Sequence, residues 1–170
     1  MKVIINYFLY LLLIFAGNYS SMVDDSNISL NTKDSYYFIL SIPSINLEEK
    51  VYEYNSNNND VNKGIYLAKD YNFSNMKGSL ILASHSGNSK ISYFKNLNYL
   101  SNNDIVIIKK NDTTYYYKII DNYKIEKNGS FKYKNLDNHI YLITCDKKNK
   151  KKQLVYTGKL IKTTKKSSFF

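Results

Sequence analysis

With 170 residues, 44% of them hydrophobic, the chain has material for one ordinary domain with a real core; one proline and six glycines exclude collagen-like or proline-rich linker character. The formal net charge is +10 and all 24 basic residues are lysine. Such a charge attracts an anionic partner, but nucleic acid is disfavoured because arginine, the bidentate reader of guanine, is absent.

Lys, Asn, Ile and Tyr make up about half of the chain, a mixture typical of A+T-rich coding, and that bias accounts for much of the charge. In chain order, Lys2 precedes the apolar run Val3 to Ala16. This is a positive region followed by a hydrophobic stretch of signal-peptide length. It is short for a comfortable span of about 20 residues. Ala16-Gly17-Asn18 is a poor cleavage site, so a membrane anchor is slightly favoured over a cleaved signal. The domain plan is therefore a signal peptide or anchor at 1–17, a polar stalk at 18–36, a folded domain at 37–162 and a flexible tail at 163–170. The expected location is the outer face of the cell membrane, or secretion.

The domain opens with Tyr37 to Pro43, a strand ended by the only proline. Asn55 to Asn62 is a polar loop. Ser79 to Ala83 is a short buried strand with His85 at its mouth. Ile91, Phe94, Leu97 and Leu100 have helical spacing and predict a short helix. Asp104 to Lys109 and Tyr115 to Tyr123 read as a hairpin about Asn111-Asp112, with Tyr115-Tyr116-Tyr117 as strand-forming residues rather than a stacking platform for bases. Residues 124–138 read as a loop, His139 to Cys145 as a strand, Asp146 to Lys152 as a very basic turn, and Gln153 to Ile161 as the last strand. Many short strands with little helix predict an all-β barrel or sandwich.

Cys145 is the only cysteine, so an exported chain has no internal disulfide to make. Its thiol is an intermolecular crosslinker or a free reactive group. A thiol is mostly protonated at neutral pH, and a nearby imidazole can supply its positive partner and protonate a leaving amine. Cys145 is thus the candidate nucleophile and His85 the candidate general acid of a thiol acyl transfer. Ser84, Ser86 and Asn88 beside His85, and Thr144 beside Cys145, are candidate substrate-binding residues. His139, about six residues from Cys145, lies toward the other end of the fold and reads as structural. One cysteine and two separated histidines build no zinc site, the spacing of Asp112, Asp121 and Glu126 shows no calcium loop, and there is no glycine-rich phosphate loop, so no cofactor is expected.

The order of motifs resembles the sortase family. The segments that carry it are Ser41-Ile42-Pro43-Ser44-Ile45-Asn46-Leu47, Leu82-Ala83-Ser84-His85, Phe94-Lys95-Asn96-Leu97, Asn103-Asp104-Ile105-Val106, Leu142-Ile143-Thr144-Cys145 and Leu154-Val155-Tyr156-Thr157-Gly158-Lys159-Leu160, over about residues 37–161. A class D-like or unclassified member fits the compact chain. The resemblance implies a closed eight-stranded β-barrel with one or two short helices. It also implies a cysteine transpeptidase that cleaves a C-terminal sorting motif of secreted proteins, usually Leu-Pro-x-Thr-Gly-like, through a thioester. The acyl group then passes to a peptidoglycan-precursor amine. The chain departs from the family at the arginine that opens the last strand. Alignment puts Gln153 there, with Lys152 just before it; strand alternation lets only one of the two face the site. Gln153 offers two donors without charge, Lys152 a point charge without the planar fork. The alternative is a degenerate, non-catalytic wall-binding module.

Overall fold

The computed structural model describes residues 36–129 and 131–166. The expected signal or anchor, the stalk up to residue 35 and residues 167–170 lie outside the described residues. Strand β1 (Phe38–Ile42) turns Phe38, Leu40 and Ile42 fully inward. Pro43 ends it, opening a single 3-10 turn (Pro43–Ile45) that closes on Asn46 at a left-handed φ of 51°. The chain returns antiparallel as β2 (Leu47–Val51), with Ile42 opposite Leu47. A polar loop follows, then β3 (Tyr66–Leu67) and β4 (Ser79–Ala83).

The expected helix over 91–100 is instead a series of turns ending in one 3-10 turn, Leu97–Tyr99. The apolar residues there recur every three positions, which is the 3-10 period and not 3.6. Three further strands follow the hairpin pattern read from the sequence: β5 (Ile105–Lys110), β6 (Thr113–Glu126) and β7 (His139–Cys145). The last strand, β8 (Lys152–Lys165), runs beyond the boundary expected at residue 162 because its end stays paired with the start of β6, Thr113 facing Lys165.

All eight strands form one sheet in the order β2-β1-β5-β6-β8-β7-β4-β3. A lone bridge between Val51 and Ile65 joins the two edges. The fold is thus a nearly closed, eight-stranded barrel, as the family resemblance implies, with two 3-10 turns in place of the one or two short helices. Sheet closure removes the exposed strand edges that invite aggregation.

Leu40, Leu80, Leu82, Val106, Ile108, Tyr117, Ile119, Ile140 and Leu142 fill the interior, each fully buried. Tyr37, Phe38, Tyr71, Phe73 and Tyr115 add a set of rings in contact at 5.0–5.8 Å. Tyr115 and Tyr117 are core residues, in line with the strand-forming role read for the tyrosine triplet. Gly158 belongs to this packing: a Cβ there would meet Ile140 Cγ2 at 2.8 Å.

Strand β6 carries a register shift between Ile119 and Asp121. The extra residue, Ile120, is exposed, and beyond it the inward and outward parities exchange. Before the bulge, odd-numbered Tyr115, Tyr117 and Ile119 point in. After it, Asn122 and Lys124 are level with Tyr156 and Leu154, while Tyr123 and Ile125 join a second cluster outside the barrel wall. That second cluster (Ile81, Tyr141, Ile143 and Val155, roofed by Phe131 and Tyr133) explains why β7 is buried on both faces.

Candidate active site

Strands β4 and β7 run parallel, with Ala83 level with Ile143. Two hydrogen bonds carry the alignment past the end of β4. The Ser84 amide donates to the Ile143 carbonyl at 3.2 Å, and Thr144 Oγ1 donates to the Ser84 carbonyl at 2.8 Å. The register carried two residues past the end of β4 would bring His85 level with Cys145, the last residue of β7. Both are half-buried. The His85 backbone is seated by the Phe94 amide, which donates to the His85 carbonyl at 3.1 Å, and Phe94 is fully buried. The imidazole Nε2 lies 3.3 Å from Asn62 Oδ1, so Asn62 rather than the thiol is its hydrogen-bond partner.

Two cavities flank this point. One of about 320 Å³ is lined by Cys145, Thr144, Ser86, Lys124, Asp146 and Tyr156, among others. An apolar groove of about 540 Å³ runs along the outer face, over Ile81, Ala83 and Ile143, under Phe131 and Tyr133, and includes Gln153.

The register decides between the two replacements for arginine as far as orientation goes. Gln153 is directly opposite Cys145, and residues directly opposite in an antiparallel pair share a face. Lys152 is turned to β6, where its Nζ lies 3.6 Å from Glu126 Oε1.

The residues flanking the pair divide. Ser86 lines the thiol's cavity. Thr144 also lines it, but its hydroxyl is committed to Ser84, and the Ser84 hydroxyl donates to the Gly64 carbonyl at 3.2 Å. Both hydroxyls thus tie neighbouring segments together. Asn88 lines a separate cavity with Ile45, Leu47 and Tyr93 and is not brought to the thiol. His139 sits at the far end of β7, its Nδ1 at 2.7 Å from the Asp137 carbonyl, as a structural histidine would.

The sequence reading missed an ion pair. Asp146, immediately after Cys145, is buried, and its Oδ2 meets Lys124 Nζ at 2.8 Å. Its Oδ1 accepts from the Lys148 amide at 2.9 Å, and its own amide donates to the Lys152 carbonyl at 3.0 Å. The basic turn between β7 and β8 is therefore stapled at its root. The Lys124 ammonium first, and then the backbone donors, hold the Asp146 carboxyl below its ordinary range.

A depressed folded-state pKa gives stability that is fully present above the unfolded value, near 4, and is lost as pH falls through the folded value. Asp146→Asn is accordingly expected to lower the urea midpoint at pH 7 and to have little effect at pH 2. Equal losses at both pH values would refute the assignment.

The fold and site define an all-β barrel with a thiol at the end of β7, next to the Ile143 and Gln153 end of an apolar groove, and an imidazole just past the end of the parallel neighbour β4. The chain belongs to the sortase family, whose members are cysteine transpeptidases: the Sortase domain matches residues 40–161. Among solved structures, sortase A of Listeria monocytogenes is similar at 23% identity and a TM-score of 0.66, over 79% of this chain and 93% of that one. Sortase C-3 of Streptococcus pneumoniae is similar at 20% identity and 0.65, over 78% and 65%. Sortase E1 of Streptomyces coelicolor, crystallised with a tripeptide in its active site, gives 20% and 0.60, over 78% and 91%. These likenesses bear on the fold. No curated protein matches the sequence.

Proposed function

We propose that this chain is an active transpeptidase working outside the membrane, held there by its apolar N-terminus, and that it moves a sorting-motif acyl group from a secreted protein to a cell-wall amine. The thiolate of Cys145 attacks the scissile carbonyl carbon; a C–S bond forms, the C–N bond breaks, and His85 gives its proton to the leaving amine. The incoming amine then attacks the thioester. A C–N bond forms, the C–S bond breaks, sulfur leaves as thiolate, and the amine's proton returns to the imidazole. Gln153, on the face of Cys145, donates an amide N–H to the developing oxyanion, as fixed donors do. The observation that carries this reading is the hydrogen-bonded extension of the β4–β7 register through Ser84 and Thr144.

Motif-independent chemistry tests it. Cys145 should alkylate quickly, with a pH profile that His85→Gln displaces; a slow rate indifferent to His85 would favour the non-catalytic wall-binding module. Product analysis with and without an added amine separates transfer from hydrolysis.

Gln153→Arg is expected to preserve turnover or raise it, up to on the order of 100-fold if it restores a full oxyanion donor. Lys152→Ala is expected to leave turnover within about two-fold, because an exposed ion pair such as that with Glu126 is worth little. The reverse pattern, with Gln153→Arg lowering activity and Lys152→Ala ending it, would mean that the lysine is the one serving the thiol.

A further inference from the structure

The outer groove is apolar along its floor and roof yet carries two lysines, Lys69 and Lys127, and no acidic residue among its lining. Three ion pairs form among the described residues, Lys109–Glu48, Lys124–Asp146 and Lys152–Glu126; neither groove lysine takes part in one. Lys69 Nζ is nevertheless held in place. It donates to Asn135 Oδ1 at 3.1 Å and stands 5.3 Å from the centre of the Tyr133 ring. Both partners are neutral, so its charge is aimed and uncompensated. Asp137, further along the same connection, accepts from the Gly78 amide at 2.6 Å.

The offset of Lys69 from the thiol along the strands follows from register. Leu67 is opposite Leu82, and the Ala68 amide donates to the Ile81 carbonyl at 3.0 Å, which brings Lys69 level with Leu80. Leu80 is level with Ile140, five residues before Cys145 on β7. At about 3.3 Å per residue, this is roughly 16 Å along the strand direction, or five residues of extended peptide, with β4 lying between β3 and β7.

We infer that the groove selects an extended peptide bearing an acidic side chain, which Lys69 engages about five residues from the carbonyl presented to Cys145. The inference rests on the transpeptidase reading for the position of the reacting carbonyl, while the charge preference itself belongs to the groove. Between the two ends, the floor of Ile81, Ala83 and Ile143 and the rings of Phe131 and Tyr133 take apolar side chains. An occupant both apolar along its length and anionic at one point is a peptide of this kind. A uniformly charged polyanion would leave the apolar floor unused.

The test uses the Cys145→Ala chain, immobilised and exposed to random decapeptides, with the bound pool sequenced. An exposed pair of this type favours Asp and Glu over neutral residues by up to about five-fold at one position, and less as salt is raised. Adding Lys69→Glu should abolish that enrichment and shift it to Lys and Arg, with melting curves confirming that the barrel is intact. A pool without acidic enrichment, an empty pool included, or one that Lys69→Glu leaves unchanged, overturns the inference. Offering the selected peptide to the unmutated chain addresses the other reading separately. Failure to form a thioester at Cys145 would retire the transpeptidase and leave the charge preference standing.

Discussion

Cys145→Ala abolishes turnover and leaves the barrel folded: this is the expected result if the thiol forms the covalent intermediate. Cys145 is only half-buried at the end of β7, so exchanging a thiol for a methyl group removes little packing. The chemical loss is far larger. No other residue of the chain is a thiol, and neighbouring donors have nothing to stabilise once the nucleophile is gone. The rate should fall by at least about 10⁴-fold, the order lost when a covalent catalyst loses its nucleophile. The measurement is product release from a sorting-motif peptide, paired with mass spectrometry of the intact chain. The unmutated chain should gain the mass of one acyl group and lose it on addition of an amine or hydroxylamine. Residual turnover above a thousandth of the original rate in Cys145→Ala, or an acyl adduct on any other residue, would end the thioester mechanism. A binding module makes the opposite forecast: its affinity survives the substitution intact.

Strand-level information was legible in the sequence where period-two alternation persisted. Phe38, Leu40 and Ile42, and Leu80 and Leu82, point inward as their spacing requires. The thiol and imidazole stand out because each closes an apolar run, and their chain order matches the family's. What escaped the reading lies where local pattern breaks. The bulge at Ile120 reverses the parity of β6, so nothing in the spacing of Asn122 and Lys124 announces that Lys124 reaches Asp146. Asn62 comes from a polar loop without periodicity and meets His85 only through the fold. Asp146 had one visible signal, its adjacency to Cys145. The groove roof, Phe131 and Tyr133, sits in a segment read as loop because its rings are apolar contacts without secondary structure. Register, finally, is a property of paired strands. Only pairing Cys145 with Gln153 separates the faces of Gln153 and Lys152.

That same dependence on register makes Thr144 the residue through which His85 and Cys145 are held together, and Thr144→Val the most informative substitution beside the nucleophile. The side chain is buried and its hydroxyl donates to the Ser84 carbonyl, the last cross-strand bond before His85. Valine fills nearly the same space but leaves that buried carbonyl without its donor. The expected stability cost is about 1–3 kcal/mol. The catalytic cost is larger than this suggests, because Ser84 is the residue that precedes His85. A shift of about 1 Å between acid and nucleophile is enough to lose on the order of 100-fold in rate. The loss should appear in kcat with KM little changed, since Thr144 spends its hydroxyl on Ser84 and not on substrate. Thr144→Ser keeps the donor and should recover most of the rate. The alkylation profile of Cys145 gives a second readout: if imidazole and thiol act as a unit, Thr144→Val should weaken its dependence on His85. Wild-type kcat in Thr144→Val, or failure of serine to rescue, would show that the two strands hold their alignment without this bond and that the pair is positioned by other means.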